Sequence, residues 1–334
     1  MTEHTESVDG YNAPFFLRNG HLQSIYPVLF RKIDASFYER ERIDTQDGDF
    51  LDLDWSRAES DTLAVISHGL EGNSRRAYVT GMAKALNQGG WDVLAWNYRS
   101  CSGEPNLRLQ SYHNGATEDL SRVIRHAKKQ KAYKEIALVG FSLGGNLSLV
   151  HLGRDTVDPN VTKAVVFSVP CDLKSSAETI SKPSNTIYMR RFLKLLHEKI
   201  RAKMELMPGR IDDHGFEKIK SFRQFDDRYT APIHGFKDAL DYWKKCSSKQ
   251  FLHSVKVPCL IVNAADDPFL PEECYPVKEA AQNPYITLEI PKSGGHVGFI
   301  EFNPQNRYWS EKRAVSFLNN GHVLTDTTND ERSP

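Results

Sequence analysis

Short apolar runs alternate with amphipathic stretches along most of the 334-residue chain. The apolar runs are bounded by turn-forming residues and predict buried strands. They occupy residues 62–67, 91–96, 135–140, 161–169, 257–263 and 285–290. Between them, apolar positions recur at helical spacing and predict helices near 78–86, 117–130, 143–152, 272–281 and 305–319. Strands that alternate with helices in this way predict an α/β architecture, a parallel sheet with helices on both faces.

Two further strands near the start of the chain bring the expected sheet to eight. Residues 38–44 and 50–55 flank the turn Gln46-Asp47-Gly48-Asp49 and predict an antiparallel β-hairpin. Because the hairpin is antiparallel, we expect an eight-stranded sheet that is mostly, rather than wholly, parallel.

The alternation stops between about residue 174 and residue 250, where no strand-like run occurs. Tyr188, Phe192, Ile200 and Met204 instead form an apolar stripe at helical spacing. We interpret this segment as a helical cap inserted over the ends of the strands. An ordinary pair of linking helices fits the same periodicity equally well.

The two ends of the chain are expected to lie outside the folded domain. Residues 1–13 predict a disordered N-terminus, and residues 321–334 predict a flexible polar tail. Residues 15–27 are rich in aromatic side chains but too irregular for a clean helix, so we expect them to pack on the domain. Residues 14–320 are expected to form a single domain that includes the cap.

Composition narrows the function classes. The 43 basic residues balance the 43 acidic ones, so net charge favours neither nucleic acid nor an anionic membrane as a partner. The five cysteines are an odd number without a C-x-x-C pair, which is typical of reduced thiols rather than of disulfides or a zinc site. No signal-peptide segment is apparent, and no apolar run approaches the ~18 residues of a membrane span. These features favour a soluble cytoplasmic protein and leave its oligomeric state open.

The candidate nucleophile is Ser142. It lies in the sequence Gly140-Phe141-Ser142-Leu143-Gly144, between an apolar strand and a predicted helix. A G-x-S-x-G sequence in this context is typical of a nucleophile elbow, a strained turn whose glycines allow close approach of the neighbouring strand and helix. A glycine-rich turn without chemistry is the alternative, and the flanking strand and helix disfavour it.

A serine nucleophile needs a base and a carboxylate that orients the base. In folds with such an elbow, these partners follow in the order Ser, Asp or Glu, His. Asp266 and Asp267 follow the strand at 257–263, and His296 lies in a glycine-rich loop after the next strand. We therefore predict a catalytic triad of Ser142, Asp267 and His296, with Asp267 preferred because it directly precedes a proline turn. Asp266 stays open as the alternative acid or as a brace for the loop.

An oxyanion hole requires two backbone N–H groups that point at the developing negative charge. One is expected from Leu143, at the start of the helix after the nucleophile. The other is expected from Leu70, in the loop that follows the strand at 62–67, whereas His68 of that loop is expected to be structural. The chain has no H-E-x-x-H motif, no Cys/His cluster and no nucleotide-binding glycine loop, so we expect neither a metal nor a cofactor.

Longer motifs are spread over roughly residues 14 to 318. They are Phe16-Leu17-Arg18-Asn19-Gly20-His21-Leu22-Gln23-Ser24, His68-Gly69-Leu70-Glu71-Gly72, Asn97-Tyr98-Arg99-Ser100-Cys101-Ser102-Gly103-Glu104, Ser111-Tyr112-His113-Asn114-Gly115, Gly140-Phe141-Ser142-Leu143-Gly144-Gly145-Asn146, Thr230-Ala231-Pro232 with Gly235-Phe236, and Asp266-Asp267-Pro268-Phe269. Together they resemble the α/β-hydrolase superfamily, and more narrowly its YheT-like branch, AB hydrolase family 4. One departure is Ser100, where relatives often have glycine, and it implies only a local change in the loop.

The resemblance implies an α/β-hydrolase fold and a serine hydrolase that cleaves small-molecule carboxylic esters of short or medium acyl chains. A lipase or phospholipase, a thioesterase and an alcohol acyltransferase would use the same triad and stay open as alternatives. In a lipase, the apolar cap and the aromatic N-terminal arm would be the entry surface, so transient contact with a lipid surface also stays open. A non-catalytic scaffold of the same fold is disfavoured by the complete set of triad residues. Because a histidine base must be neutral, we expect activity to fall on acidification through about pH 6–7.

Overall fold

The computed structural model of the chain describes residues 10–320. Eight strands form a single sheet. They are β1 Glu39–Asp44, β2 Phe50–Ser56, β3 Thr62–Ser67, β4 Asp92–Trp96, β5 Glu135–Phe141, β6 Val161–Phe167, β7 Cys259–Val262 and β8 Ile286–Glu289. Their order across the sheet is β1-β2-β4-β3-β5-β6-β7-β8. β1 pairs antiparallel with β2, and β2 antiparallel with β4, whereas all later pairs are parallel. The predicted hairpin and the mostly parallel eight-stranded sheet are confirmed.

Helices connect the strands and cover both faces of the sheet. They are α1 Gly20–Phe30, α2 Ala77–Gln88, α3 Thr117–Gln130, α4 Leu143–Arg154, α5 Leu173–Ile180, α6 Thr186–Leu206, α7 Phe222–Phe225, α8 Ala231–His234, α9 Ala239–Cys246, α10 Val277–Gln282 and α11 Trp309–Asn320. Short 3₁₀ turns occupy Phe15–Leu17, Pro183–Asn185, Phe216–Lys218, Ser248–Ser254 and Glu272–Cys274, and a π turn occupies Asp226–Thr230. None of the helices within residues 10–320 is long and apolar enough to cross a membrane.

The central strands are apolar on both faces because helices bury both. In β5, Ile136 and Leu138 pack in the cluster that includes α3 and α4. Ala137 and Val139, which point the opposite way, pack with α2 and α11. Since successive side chains of a strand alternate between faces, a strand between two helical layers must be apolar at every position. This is why the strands appear in the sequence as continuous apolar runs.

The segment between β6 and β7 is helical and forms its own apolar cluster. α5, α6, α7 and α9 contribute Leu173, Met189, Phe222 and Trp243, among others. The cluster also contains Phe269 and contacts Leu70, which belong to loops at the carboxyl ends of the strands. The helical segment therefore lies over that end of the sheet.

The expectation that residues 15–27 are too irregular for a helix is wrong for most of this segment, because α1 spans Gly20–Phe30. The Asn19 side chain accepts hydrogen bonds from the backbone N–H groups of His21 and Leu22 and so caps the helix. Several apolar side chains of α1 are exposed, Leu22 and Phe30 among them. An amphipathic period fails to identify such a helix, because its apolar residues are not confined to a buried face.

Other parts of the prediction also differ from the structure. The helix expected at 272–281 is divided into the 3₁₀ turn Glu272–Cys274 and α10, because Pro276 lacks an N–H and disfavours helical backbone at the residue before it. Positions 1–9 of the predicted disordered N-terminus, residues 1–13, lie outside the described residues, as does the whole predicted tail, residues 321–334. Of the remainder of that N-terminus, Tyr11 packs against Trp309, with ring centroids 5.5 Å apart, and its hydroxyl donates to the carbonyl oxygen of Ile300.

Candidate active site

The sequence-predicted site residues meet at one edge of the sheet. Ser142 directly follows β5, and Asp267 and His296 follow β7 and β8. The loop that contains Leu70 follows β3, which pairs in parallel with β5. Because parallel strands end at the same edge of a sheet, these four loops come together there, beneath the helical segment.

The turn at Ser142 is strained and is held by its neighbours. Ser142 has φ 52° and ψ −118°, a conformation that L-residues rarely adopt. Its N–H donates to the Phe167 carbonyl oxygen at 2.9 Å, which ties the turn to β6. A Cβ at Gly140 would lie 2.6 Å from the Gly144 carbonyl oxygen, and one at Gly144 would overlap the Ser67 carbonyl. Both positions therefore require glycine so that strand and helix can approach this closely.

Ser142, His296 and Asp267 form a continuous hydrogen-bonded chain. The Ser142 hydroxyl oxygen lies 2.9 Å from His296 Nε2, and His296 Nδ1 lies 2.9 Å from Asp267 Oδ2. The Asp267 carboxylate is fully buried, and it also accepts the Phe269 N–H at 2.9 Å. With a proton on Nδ1 donated to Asp267, Nε2 is free to accept the serine proton. This is the geometry of a nucleophile, a base and a group that orients the base.

The carboxyl group of Asp266, the residue before Asp267, does not contact the His296 ring. Asp266 Oδ1 accepts the backbone N–H of Gly295 at 2.8 Å, directly before His296. Burial raises the pKa of Asp266 above its usual range, and the nearby Asp267 charge adds to this. Asp266 thus braces the loop that carries His296, while Asp267 contacts the ring.

The first helix contributes to the site in a way that sequence reasoning missed. The Ser24 hydroxyl oxygen of α1 accepts the His296 N–H at 2.8 Å and donates to the carbonyl oxygen of Gly20. Gly20 itself packs directly against the Asp266 backbone, where a Cβ would overlap the carbonyl oxygen. The available signal was the motif at residues 16–24, which carried the family resemblance but had no assigned role.

Two backbone N–H groups beside Ser142 are free to bind an oxyanion. The Leu143 N–H is at the start of α4, and the Leu70 N–H lies in the tight turn closed by Gly72 N–H and the Gly69 carbonyl at 3.0 Å. Neither N–H has an acceptor among residues 10–320. Gly69 brings this turn close to the serine, since a Cβ there would lie 3.3 Å from Ser142 Cβ. Both amides are thus available to stabilise negative charge.

His68 is buried and hydrogen-bonded on both ring nitrogens. Nδ1 donates to the Gly69 carbonyl at 2.8 Å, and Nε2 accepts the Tyr98 N–H at 3.3 Å. Burial lowers the pKa of His68 to about 3, so the ring is neutral. These contacts hold the loop before Leu70 and involve no contact with Ser142.

A cavity of about 750 Å³ separates the strand ends from the helical segment. Ser142 and His296 line it, and most of its wall is apolar. The apolar wall includes Leu173, Ile180, Phe192, Leu196, Phe222 and Phe225. The volume falls within the range of about 300–1,000 Å³ that is typical of small-molecule sites.

A polar cluster joins α6 to the loop of Leu70. Lys199 Nζ of α6 lies 3.0 Å from Glu71 Oε1, and Glu71 is the residue after Leu70. The Tyr112 hydroxyl donates to the same carboxylate oxygen at 2.6 Å, and the Glu71 N–H donates to the Tyr112 hydroxyl oxygen at 3.0 Å. Lys199 Nζ also lies 2.9 Å from Cys101 Sγ, a thiol whose pKa burial raises to about 11. The ion pair and its hydrogen bonds fix the position of the loop beside Ser142.

A second buried carboxyl group lies in the cavity wall at the π turn. Asp226 Oδ2 accepts the Trp243 indole N–H at 2.8 Å, and Oδ1 lies 2.6 Å from the Thr230 hydroxyl. Burial raises the pKa of Asp226 to about 7, and these hydrogen bonds only partly oppose it. The group therefore holds its proton more tightly in the folded chain than in the unfolded one.

Comparison with known proteins agrees with this fold. The sequence profile of the alpha/beta hydrolase fold matches residues 65–302. The Escherichia coli (strain K12) protein YheT, provisionally named an esterase, is 35% identical over 309 residues, which cover 90% of each chain. The phospholipase ABHD3 of Bos taurus is 31% identical over 303 residues, covering 86% of this chain and 74% of its own. Among solved structures, a Pyrococcus furiosus esterase, Pf2001, superposes with a TM-score of 0.56 at 19% identity, covering 86% of this chain and 94% of its own.

The chain belongs to the α/β-hydrolase family, as the profile match over most of its length shows. Within that family, the 35% identity over 90% of both chains supports the YheT-like branch. The fold class and the resemblance inferred from the sequence are confirmed.

Proposed function

We propose that this protein is a serine esterase that hydrolyses carboxylic esters of short- to medium-chain acids through Ser142, His296 and Asp267. The observation that carries the proposal is the chain of 2.9 Å contacts from Ser142 through His296 to Asp267. The relatives named an esterase and a phospholipase support this proposal. So does a Saccharomyces cerevisiae relative named a monoacylglycerol lipase, which is 27% identical over 258 residues, covering 75% of this chain and 57% of its own. This chain is an ester hydrolase as well.

The proposed reaction has two acyl-transfer steps. Ser142 Oγ attacks the ester carbonyl carbon while His296 Nε2 takes the hydroxyl proton, and the Leu70 and Leu143 N–H groups stabilise the oxyanion. The C–O bond to the alcohol then breaks, and His296 returns the proton to the leaving alkoxide. Water attacks the acyl-enzyme in the same manner, which releases the acid and restores the serine. Asp267 stabilises the imidazolium and keeps Nδ1 protonated throughout.

The size and the lining of the cavity favour a medium-length acyl chain in the substrate. A volume of about 750 Å³ with a mostly apolar wall suits a medium acyl chain better than an acetyl group, which would leave most of the space unfilled. The second candidate is a lipid ester, as the names of the phospholipase and monoacylglycerol lipase relatives suggest. Its acyl chain would use the same cavity.

The test is a series of p-nitrophenyl esters from acetate to palmitate, assayed on the wild type and on Ser142→Ala. Fluorophosphonate labelling, read by mass spectrometry, identifies the nucleophile. The matched control is Ser148→Ala, because Ser148 is a buried serine of α4, the helix that follows Ser142, and its hydroxyl donates to the Gly144 carbonyl. We expect Ser142→Ala to fold normally and lose labelling and turnover, while Ser148→Ala keeps both.

Labelling at another residue, or turnover by Ser142→Ala within a few-fold of wild type, would refute the assignment of the nucleophile. An optimum at butyrate to decanoate would support the medium-chain proposal. An optimum at palmitate would favour the lipid candidate.

A further inference from the structure

The N-terminal arm and the loop after β8 together expose a set of large apolar side chains. We define this set as the apolar face. It consists of Phe15, Phe16, Val28, Leu29, Phe30 and Phe302, each more than half exposed. Monomeric soluble proteins rarely leave such a contiguous patch uncovered, and patches of this kind mark contact sites for proteins, ligands or membranes.

Ring contacts make the apolar face continuous. Phe16 stacks on Phe302 with centroids 5.8 Å apart, and Phe15 meets Phe16 at 5.2 Å. Tyr26 bridges the two ends of the face, at 5.9 Å from Phe302 and 4.8 Å from Phe30. The 3₁₀ turn, α1 and the loop after β8 thus present one surface, although they are distant in sequence.

The apolar face borders the opening of the active-site cavity. Val28 and Leu29 line the cavity, yet they are 57% and 61% exposed, so they lie at its mouth. Ile187, at the start of α6, also lines the cavity and is 75% exposed. An apolar molecule lying on the face would therefore meet apolar side chains where it enters the cavity, at Val28, Leu29 and Ile187.

Positive charge collects around the same cavity. Lys32, Arg75, Arg76 and Arg191 line it, and none of the four has an ion-pair partner within residues 10–320. The pKa of Arg191 is lowered mainly by burial and, to a smaller extent, by the nearby positive charge of Arg76.

Among the described residues that line the cavity, no free carboxylate offsets these four cations. Both acidic residues that line the cavity are buried. Glu71 is paired with Lys199, and burial favours the protonated form of Asp226. The whole chain carries no net charge, so this concentration of positive charge is local.

We propose that the apolar face and the adjacent cations dock the protein on a lipid surface that carries anionic headgroups. Aromatic and aliphatic side chains that enter the acyl boundary, together with basic groups that meet the headgroups, are the two components of such binding. A second copy of the chain fits less well, since pairing two such faces would bring unpaired cations together. A small substrate inside the cavity would leave Phe15 and Phe30 uncovered. The docking itself does not depend on the proposed esterase function. Only its purpose, which is to bring lipid esters to the mouth of the cavity, rests on that function.

The test is co-sedimentation of the full chain with phosphatidylcholine vesicles, with and without phosphatidylglycerol. We expect binding that rises with phosphatidylglycerol and falls with added salt. Phe15→Ser/Phe30→Ser removes two rings outside the cavity lining and should weaken binding by about tenfold or more. The control is Leu240→Ser/Val277→Ser, which removes two exposed apolar side chains that do not line the cavity, and it should bind like the wild type.

Ser142→Ala should bind vesicles like the wild type, which separates docking from catalysis. Hydrolysis of p-nitrophenyl butyrate by Phe15→Ser/Phe30→Ser should stay near the wild-type rate. Absence of wild-type binding to both kinds of vesicle would overturn the proposal. Equal vesicle binding by the two double variants would also overturn it. A third overturning result would be a wild-type protein that binds no vesicles but dimerises with rising concentration, if Phe15→Ser/Phe30→Ser abolishes the dimer.

Discussion

Lys199→Met is expected to destabilise the fold and to impair catalysis at the same time. Lys199 comes from α6 of the cap, and its ammonium group pairs at 3.0 Å with Glu71, whose side chain is only 4% exposed. Methionine keeps much of the apolar stem but leaves the Glu71 carboxylate without its cation. Because Glu71 directly follows Leu70, movement of this carboxylate would displace an N–H of the proposed oxyanion hole.

The magnitude follows from the burial of the pair. Removing one partner of a buried ion pair typically costs about 3–5 kcal/mol, because the remaining charge is desolvated without compensation. The Lys199 side chain is 20% exposed, and the Tyr112 hydroxyl still donates to Glu71. We therefore expect about 3 kcal/mol, at the lower end. Partial loss of one oxyanion donor should lower kcat by about tenfold or more, since complete loss costs about 10²–10³-fold.

Urea unfolding and the kinetics of p-nitrophenyl butyrate hydrolysis measure the two effects. Lys194→Met is the matched control, because Lys194 lies on the same helix, is 77% exposed and only approaches Glu198 at 4.0 Å. It should change the free energy of unfolding by less than about 0.5 kcal/mol. Glu71→Gln in the Lys199→Met background removes the uncompensated charge and should recover part of the stability.

Two results would refute this reasoning. The first is a Lys199→Met protein whose free energy of unfolding lies within about 1 kcal/mol of the wild-type value, which would mean that water solvates Glu71. The second is a double variant less stable than Lys199→Met alone, which would mean that the charge on Glu71 is satisfied by its other partners.

Three further predictions concern other residues. Asp226→Asn should flatten the pH dependence of stability. Burial raises the pKa of Asp226 to about 7, so the folded state retains a proton that the unfolded state releases above about pH 4. The stability of the wild type should therefore fall by about 3 kcal/mol as pH rises from 4 to 7. Thermal melts across this range measure it, and a variant with the wild-type slope would contradict the assignment. Gly144→Ala should lower the free energy of unfolding, measured in urea, by about 3 kcal/mol or more, because the added Cβ would overlap a backbone carbonyl. Gly10→Ala is the control and should be neutral, because nothing lies within 4 Å of its added atom. Equal effects of the two substitutions would count against the steric argument. Asp267→Asn should lower kcat by about 10⁴-fold. Asp266→Asn should lower kcat far less, because asparagine keeps an oxygen that can accept the Gly295 N–H. Similar losses of kcat in the two variants would argue against Asp267 as the acid that orients His296.

The elements that carry the site could be predicted because their signals are local. Strands buried on both faces are apolar at every position, as Ile136 to Val139 illustrate, and a strained serine turn requires nearby glycines. Each of these signals lies within a few consecutive residues, so composition and spacing were enough. The order Ser142, Asp267, His296 then followed from where the strands end.

The remaining features depend on contacts between distant parts of the chain. Ser24 meets the backbone of His296 across 272 positions, and Lys199 reaches Glu71 from another layer of the fold. Neither contact produces a local sequence pattern. A serine or a lysine is the same letter in the sequence whether its side chain meets solvent or a buried partner. α1 was missed for a related reason, since its exposed apolar residues break the period that marks a helix packed on a core.

The sequence by itself thus determined the sheet, the serine turn and the set of groups available for chemistry, because strand burial and turn sterics act over neighbouring residues. Only the tertiary structure decided which of two adjacent carboxylates meets the histidine, how the cap is anchored beside the Leu70 amide, and which apolar side chains stay uncovered. Those outcomes depend on which distant groups packing brings together, because hydrogen bonds form only at about 3 Å and apolar side chains are covered only where another element packs on them.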